Sequence, residues 1–565
     1  MNTSTVVTFG FDAMVIKQDS TPVATDIQAF SKILDLRTNS STNRPYATYE
    51  QDFWVLDGNY KIMPVDTANV HVGWVSLSMS NSSGVFAIPP ELTITFASVH
   101  STNGITVRGL QYSNDFANSV TVQYYDSSST LIREDTYLSS SWELKTEQAV
   151  SNFKVIVLTF NSTNKPYRYL RVTSIDYGEL STFTGADIKS ANVVERVDPL
   201  CVELPIGTCD LSLISTSDDF SIISPTGNYE TFQYKEPFSV AEIVGNDQYF
   251  IGQFYLDDWE NKSDKEVLLK CMDMIGILDT LPYRGGIWLD GTKTAQSLIS
   301  DILGAISAPY DLDTTLNSII IIGWIPVCTY REALQQIAFA IGAYVSCSRP
   351  GTIQIYKTIL ADDVTSPAYT ITKAQKGIDQ LLTLKTLVTG AEITAHNYLP
   401  NSDAVELYNG SLVAGTHTIE FSEPAHDLTI TGGTITESGA NYATITVASA
   451  GTVVLSGQGY TDTTQVYGVY NTTLSTNTKT NIVSIKEATL VSSADVVEVA
   501  QRVYDYYQQR YLQTVKLYQP TAEVGKSVLI DTLYDQKIKG VMEKMKLNLS
   551  GGFTAECEIT GVVNE

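Results

Sequence analysis

This 565-residue chain is poor in the residues that usually carry chemistry. It holds five histidines and six cysteines, and Cys201, Cys209, Cys271, Cys328, Cys347 and Cys557 form no C-x-x-C pair. Such scattered thiols argue against a disulfide framework or a zinc site, and fit synthesis in a reducing cytosol. There is no H-E-x-x-H, no Walker A loop and no G-x-S-x-G, so none of the common hydrolase or nucleotide motifs applies. No run approaches the roughly 20 apolar residues of a membrane span, so no membrane segment is expected. The start, "MNTSTVVTFGFDAM", has neither a basic nor a long apolar region, so a secretory signal is not expected either. Basic residues are scarce as well, with 36 Lys and Arg against 62 Asp and Glu and a net charge of −26. Stable nucleic-acid binding needs cations to displace counterions from phosphates, and is not expected here.

Tyrosine is plentiful, at 32, and Ser and Thr are frequent throughout. Tyr and Thr suit half-buried pleated surfaces, so strands should dominate. The length predicts roughly three to five domains. Residues 1–62 mix strand-like pieces such as "STVVTFGFDAMVI" with the turn signal "LDGN" at 56–59, and are too polar to fold alone. From 63 to 178, short strands and polar turns alternate at sandwich spacing: "ELTITF", "NGITVRGL", "SVTVQYYD", "NFKVIVLTF" and "YRYLRVTSIDYG". Val120, Val122 and Tyr124 alternate with Thr121 and Gln123, and Val155 and Val157 share a face. Strands resume at 179–262 with "CDLSLIST", "DDFSIIS", "EPFSVAEIV" and "QYFIGQFYLDDWE", two of them separated by the turn "PTGN". They resume again over 366–565, where 403–465 is nearly free of basic residues and reads as a small β insertion. The last segment is a closing meander, with Leu547 and Leu549 on one face before the "SGG" turn.

Four helices follow from apolar residues at i, i+3, i+4 and i+7. They contain Leu268, Cys271, Met272 and Ile275, then Ile299, Ile302, Leu303 and Ile306, then Leu334, Ile337, Ala338 and Ile341, and last Val496, Val499, Ala500 and Val503. Ser263 and Glu266 have capping-box spacing before the first, and Ser493 enters the fourth. The most apolar stretch, "IIIIGWIPVCTYREALQQIAFAIGAYV" at 319–345, predicts one buried strand, a helix from Tyr330 capped by Thr329 and Glu332, and then a hairpin. Cys328 stands just before that helix, where a dipole can lower a thiol pKa. A nucleophile would need His71, His100, His396, His417 or His426 beside it, and none sits in a motif, so buried scaffold is the better reading. Asp257, Asp258 and Glu260 read as a solvated turn rather than a glycosidase pair.

Taken in order, "DFWVLDGNY", "GVFAIPPELTITF", "GITVRGLQYSNDFANSVTVQYYD" and "YRYLRVTSIDYG" resemble tail proteins of phages and prophages of Gram-positive bacteria. "LDGTKTAQSLISDIL", the 319–345 stretch and "VGKSVLIDTLYDQKIKGVMEKMKLNL" are similar to the baseplate or tail hub family, which includes hubs of contractile tails and tailocins. The resemblance covers most of the chain except roughly 403–465. It implies a mainly β fold with a smaller α/β part. The first hub β-barrel would use 1–62 plus 179–262, interrupted by a discoidin-like, galactose-binding-like sandwich at 63–178. An α/β linking domain would occupy 263–365. The second barrel would use 366–402 plus 466–565, with a helix at 494–512 and the insertion 403–465.

The same resemblance implies a structural, non-enzymatic homotrimer in a virion tail or baseplate, synthesised in the bacterial host cytoplasm. Its partners would be a tail tube or distal tail protein, a tape-measure protein, and a central spike or fibre, with no cofactor and no metal. An acidic lumen would not retain passing DNA. Tail-associated hubs often continue into a peptidase or lysozyme domain. None is visible up to Glu565, so wall degradation would fall to another protein. The alternative role is host cell-surface glycan recognition by the 63–178 sandwich, with Trp74, Tyr112 and Trp142 as candidate stacking faces.

Overall fold

A computed structural model describes residues 3–10, 13–37, 48, 50, 53, 72–102, 104–110, 113–146, 148, 150–178, 180–215, 234–245, 247–349, 351–475, 478–518, 520–534 and 536–564. The chain is mainly β, and among these residues helices of eight or more occur only at Ala295–Ala305, Tyr330–Ile341 and Val496–Gln508. It divides into two compact units. The first comprises Met1–Ile188, Ile214–Ile251 and Asn261–Val267, and the second the remainder. Residues 189–213 and 252–260 therefore belong to the second unit, whereas the sequence assigned all of 179–262 to the first barrel. The turn signals at 56–59 and 225–228 and the segment "DDFSIIS" lie outside the described residues.

In the first unit a five-stranded antiparallel sheet runs in the order Ser20–Ala24, Glu91–Thr102, Val150–Thr163, Ala117–Tyr125, Leu131–Leu138. The smaller sheets Ile105–Arg108 with Ser174–Tyr177 and Glu143–Lys145, and Trp74–Met79 with Tyr169–Val172, share its core. Alternation sets the faces. Val120, Val122 and Tyr124 are buried, and Thr121 faces out to bond Thr136 at 2.9 Å. Ile156, Leu158 and Phe160 fill the core, which leaves Val155 and Val157 together on the half-exposed face. Phe96, Phe153 and Tyr177 meet edge to face at 5.3–5.4 Å between centroids, and each buried ring of this kind contributes roughly 2–3 kcal/mol of apolar burial.

Two sequence expectations change here. "FDAMVI" is not strand throughout, because Thr3–Gly10 ends and the helix Ala13–Asp19 follows. Ile16 and Leu36 join the sandwich core, so residues 13–37 belong with the sandwich rather than with a barrel ending at 62. Among the described residues before the sandwich, only Thr3–Gly10 pairs with later sequence outside it, with Val7 opposite both Phe183 and Val240.

In the second unit the helix Ala295–Ala305 buries Leu298, Ile299, Ile302 and Leu303, and Tyr330–Ile341 buries Leu334, Ile337 and Ala338 against the same core. The latter helix begins at the expected capping box: Thr329 Oγ1 accepts from the Glu332 amide at 3.2 Å, and the Glu332 carboxylate accepts from the Thr329 amide at 2.8 Å. It ends at Gly342, whose φ of 73° is a left-handed cap that costs glycine little. The hairpin Ala343–Ser346 with Ile353–Lys357 follows. The isoleucine run before the helix is not one strand. Ile320 is 39% exposed in an isolated bridge to Thr294, and regular pairing covers only Gly323–Ile325.

The expected first helix is also corrected. Leu268, Cys271 and Met272 lie in the strand Glu266–Met272, whose burial alternates with period two. A helix begins only at Met274, capped by Asp273, and runs to Asp279. The fourth helix runs Val496–Gln508 with Asp495 at its N-cap, inside the 494–512 expected and without Ser493 as its cap. It packs on a separate sheet of Gln465–Tyr470, Gly390–Ala395 and Ile482–Ile485.

The C-terminal sheet orders Lys376–Leu384, Tyr511–Tyr518, Thr554–Asn564, Lys537–Asn548, and then Ser527–Asp531 with Tyr369–Ile371. Ile188–Arg196 also pairs with Lys537–Asn548. Among the described residues this pairing is an open path, not a closed barrel. Leu547 and Leu549 are buried on one face, as expected. The insertion forms two three-stranded sheets between Tyr398 and Asp462 over a core of Ile419, Phe421, Ile445 and Leu455.

Candidate functional site

The sandwich offers the candidate binding surface, and its aromatic residues divide sharply. Trp74 is 0% exposed; its ring lies edge-on to Phe160 at 5.4 Å and its Nε1 donates to the Asp26 carbonyl at 2.8 Å. It is a core residue and presents no stacking face. Tyr112 lies outside the described residues. Trp142 is partly exposed and lines a shallow cleft with Phe116, Ser139, Ser141 and Arg171. The cleft measures about 220 Å³ including its open mouth. Most of that space is open to solvent, so the cleft encloses no ligand-sized cavity.

Arg171 is already engaged. Its guanidinium donates to the Glu50 carboxylate at 2.8 Å and stacks over Phe53 at 4.5 Å, with Arg168 beside the same ring at 5.6 Å. Arg168 bonds the buried Asp115 at 3.2 Å, and Lys165 reaches the same carboxylate at 3.1 Å. The charges beneath the cleft are therefore paired, and they fix the loops around it.

A second polar cluster joins the helix Ala13–Asp19 to the sandwich. Lys17 and Arg108 both bond the Asp176 carboxylate, and Arg108 also bonds Glu143 at 2.8 Å. Burial alone would raise the Asp176 carboxyl, but the two cations hold it well below the usual carboxylate range. Burial lowers Lys17 against the pull of Asp176. Sequence reasoning missed this cluster, and no spacing could signal it, because Lys17 and Asp176 are 159 positions apart.

The other candidates resolve as structural. Cys328 pairs with Tyr283 across a two-residue strand and packs against the helical core. Burial and the neighbouring Glu332 carboxylate push its thiol up to about 12, opposite to the shift a nucleophile needs. His100 bonds Asp19 at 2.7 Å and His396 bonds Asp462 at 2.7 Å. His417 bonds the Val413 carbonyl at 2.9 Å, His426 lies beside Asp427, and His71 is outside the described residues. Asp258 and Glu260 share Lys270 across a hairpin at 3.2 and 2.5 Å and stay exposed, as a solvated face would. Among the described residues no helix is long and apolar enough to cross a membrane.

No protein-family model and no curated protein sequence matches the chain. Solved structures are similar at low identity. A tail protein from Neisseria meningitidis is 12% identical, covering 66% of this chain and 92% of its own, at a TM-score of 0.39. The 43 kDa tail protein of prophage MuSo2 from Shewanella oneidensis is 10% identical, covering 67% and 95%, also at 0.39. A family 32 carbohydrate-binding module of C. perfringens NanJ, solved with galactose, is 11% identical over 31% of this chain and 99% of its own, at 0.20.

Proposed function

We propose that this chain is a structural hub of a phage tail or tail-like particle. It acts as a homotrimer that adapts a sixfold tail tube to a threefold tip and lines the channel between them. The observation that carries this reading is a construction used twice. In the first unit, Thr3–Gly10 pairs, among the described residues, only with strands beyond residue 179, across an intervening sandwich. In the second, Lys376–Leu384 pairs, among the described residues, only with Tyr511–Tyr518, across a helix and a β insertion. Two such returning pairings per subunit give six in a trimer, the number needed to meet a sixfold tube. The sequence resemblance of both regions to tail hubs agrees with it.

The tube or distal tail protein, the tape-measure protein and the spike or fibre are the partners this role requires. A net charge of −26 suits a channel that lets DNA pass without holding it. Native mass spectrometry of the full chain tests the role. A trimer, with rings in electron micrographs, is expected, and a strict monomer at micromolar concentration would refute it.

A second reading is favoured by Trp142, the one candidate aromatic with a described, accessible face. On this reading the sandwich recognises a host-surface glycan. A glycan array with the full chain should show binding that Trp142→Ala abolishes. No binding, or binding that the variant retains, would end that proposal.

A further inference from the structure

The strand Lys376–Leu384 is the outer strand of its sheet: among the described residues it pairs with Tyr511–Tyr518 on one side and with no strand on the other. Its apolar side chains stand in solvent, with Ile378 93%, Leu381 62% and Leu384 55% exposed. Tyr518 on the adjacent strand is half exposed, and so are Leu533 and Tyr534 at the tip of the hairpin that follows Ser527–Asp531. The Lys376 ammonium donates to the Asp531 carbonyl and the Lys373 amide to the Asp531 carboxylate, which fixes that tip beside the start of the edge strand. Folded chains guard such edges with proline, inward charge or a cover, because open N–H and C=O groups recruit another strand. The buried Lys376 and a register shift between Lys376 and Gln380 guard the start of this edge, but from Ile378 onward it has no proline and shows oily side chains, so that stretch is open to a cover.

We propose that the cover is a second copy of this chain. The edge Lys376–Leu384 of one copy adds antiparallel beside Leu180–Phe183 of the next. The latter is also an outer strand, paired among the described residues only with Thr3–Gly10. Charge selects this match. Lys373 and Lys516 are exposed and form no ion pair among the described residues. The strand Leu180–Phe183 and the turn after it carry Asp187, and no basic residue before Lys189. Asp187 is half-exposed, and its carboxylate accepts from the Thr184 amide at 3.0 Å, which holds it at the exit of the strand. Antiparallel addition brings that exit beside Lys373 of the other copy. Twofold self-pairing of Lys376–Leu384 gives Lys373 no partner, because it would approach Lys385, which Glu543 already compensates at 3.7 Å. Pairing between unlike edges is heterologous, and heterologous contacts build rings where the rotation closes, as the trimeric hub requires, rather than twofold pairs. The inference rests on the trimeric hub reading and adds to it the surface that holds the ring together.

The test uses the full chain with Ile378→Asp and Leu381→Asp together, both at solvent-facing positions. Wild type should be a trimer by native mass spectrometry, and the double variant a monomer with unchanged circular dichroism and melting temperature. Hydrogen exchange in the wild type should show slowed amides in both 376–384 and 180–183, lost in the variant. Lys373→Glu and Asp187→Lys should each weaken the trimer about tenfold or more, and their combination should restore it, which separates contact from misfolding. A wild-type trimer that survives the double substitution refutes this contact and leaves the hub role intact. A wild-type monomer refutes the hub role and this contact together. Protection of 376–384 without 180–183 would overturn the heterologous match in favour of self-pairing.

Discussion

Replacing Asp176 by asparagine removes one charge from a buried cluster and keeps its shape. The Lys17 side chain is 4% exposed and Asp176 8%, so the Lys17 ammonium loses the carboxylate that offsets its burial. Arg108 keeps Glu143 at 2.8 Å and stays compensated. Breaking one partner of a buried pair costs about 3–5 kcal/mol. The loss has a ceiling, because Lys17 can give up its proton. From an unfolded pKa near 10.4, doing so at neutral pH costs about 5 kcal/mol, which bounds the penalty from above.

The bound carries a signature. In the variant the folded state binds fewer protons than the unfolded one, so its stability rises with pH. The gap to wild type should therefore be widest near neutrality and narrow towards about pH 10. In wild type the depressed Asp176 contributes stability that is present above the ordinary carboxylate range and lost as pH falls far below it. Urea titration read by hydrogen exchange of the strands Ser174–Tyr177 and Ile105–Arg108 reports the loss locally. A deficit under about 1 kcal/mol at neutral pH, the range of an exposed pair, would refute this account.

Thr329→Ala should destabilise the helix Tyr330–Ile341 by about 1 kcal/mol, measured by urea unfolding, because the Glu332 amide loses its Thr329 Oγ1 acceptor while the bond from the Thr329 amide to the Glu332 carboxylate remains. Cys328→Ala should lower stability by about 1 kcal/mol through lost packing, and the native thiol should alkylate far more slowly than a free cysteine at neutral pH. Glu242, buried opposite Thr5, has its carboxyl pushed up to about 6 by burial, so its contribution is present below the ordinary glutamate pKa and lost as pH rises through about 6. Glu242→Gln should flatten the melting temperature across that window, and an unchanged profile would show that Glu242 does not titrate there.

What the sequence revealed depended on whether a signal was local. The helix Tyr330–Ile341 was legible to the residue, because its cap, its apolar period and its terminal glycine all lie within 329–342. The sandwich strands were legible because alternation is local too. The segment Glu266–Met272 misled because Leu268, Cys271, Met272 and Ile275 satisfy a helical spacing while a strand and a following short helix satisfy it equally. Tertiary pairing decides between them, and it puts no mark on the sequence.

The same distinction governs the candidate site. Trp74 and Trp142 are alike as letters, and only the partner sheet shows that one fills the core and the other borders a cleft. The Lys17–Asp176–Arg108 cluster joins residues far apart in sequence, so composition dissolves it into the general acidity. Edge strands are hidden for a related reason. "KGIDQLLTL" carries enough apolar residues to sit in the middle of a sheet, yet Ile378 is 93% exposed. A sequence that would be ordinary at the centre of a sheet becomes informative at its rim, where open N–H and C=O groups can recruit another strand. The proposed hub role requires assembly with further subunits, so the surfaces that would test it are those a single chain leaves unfinished.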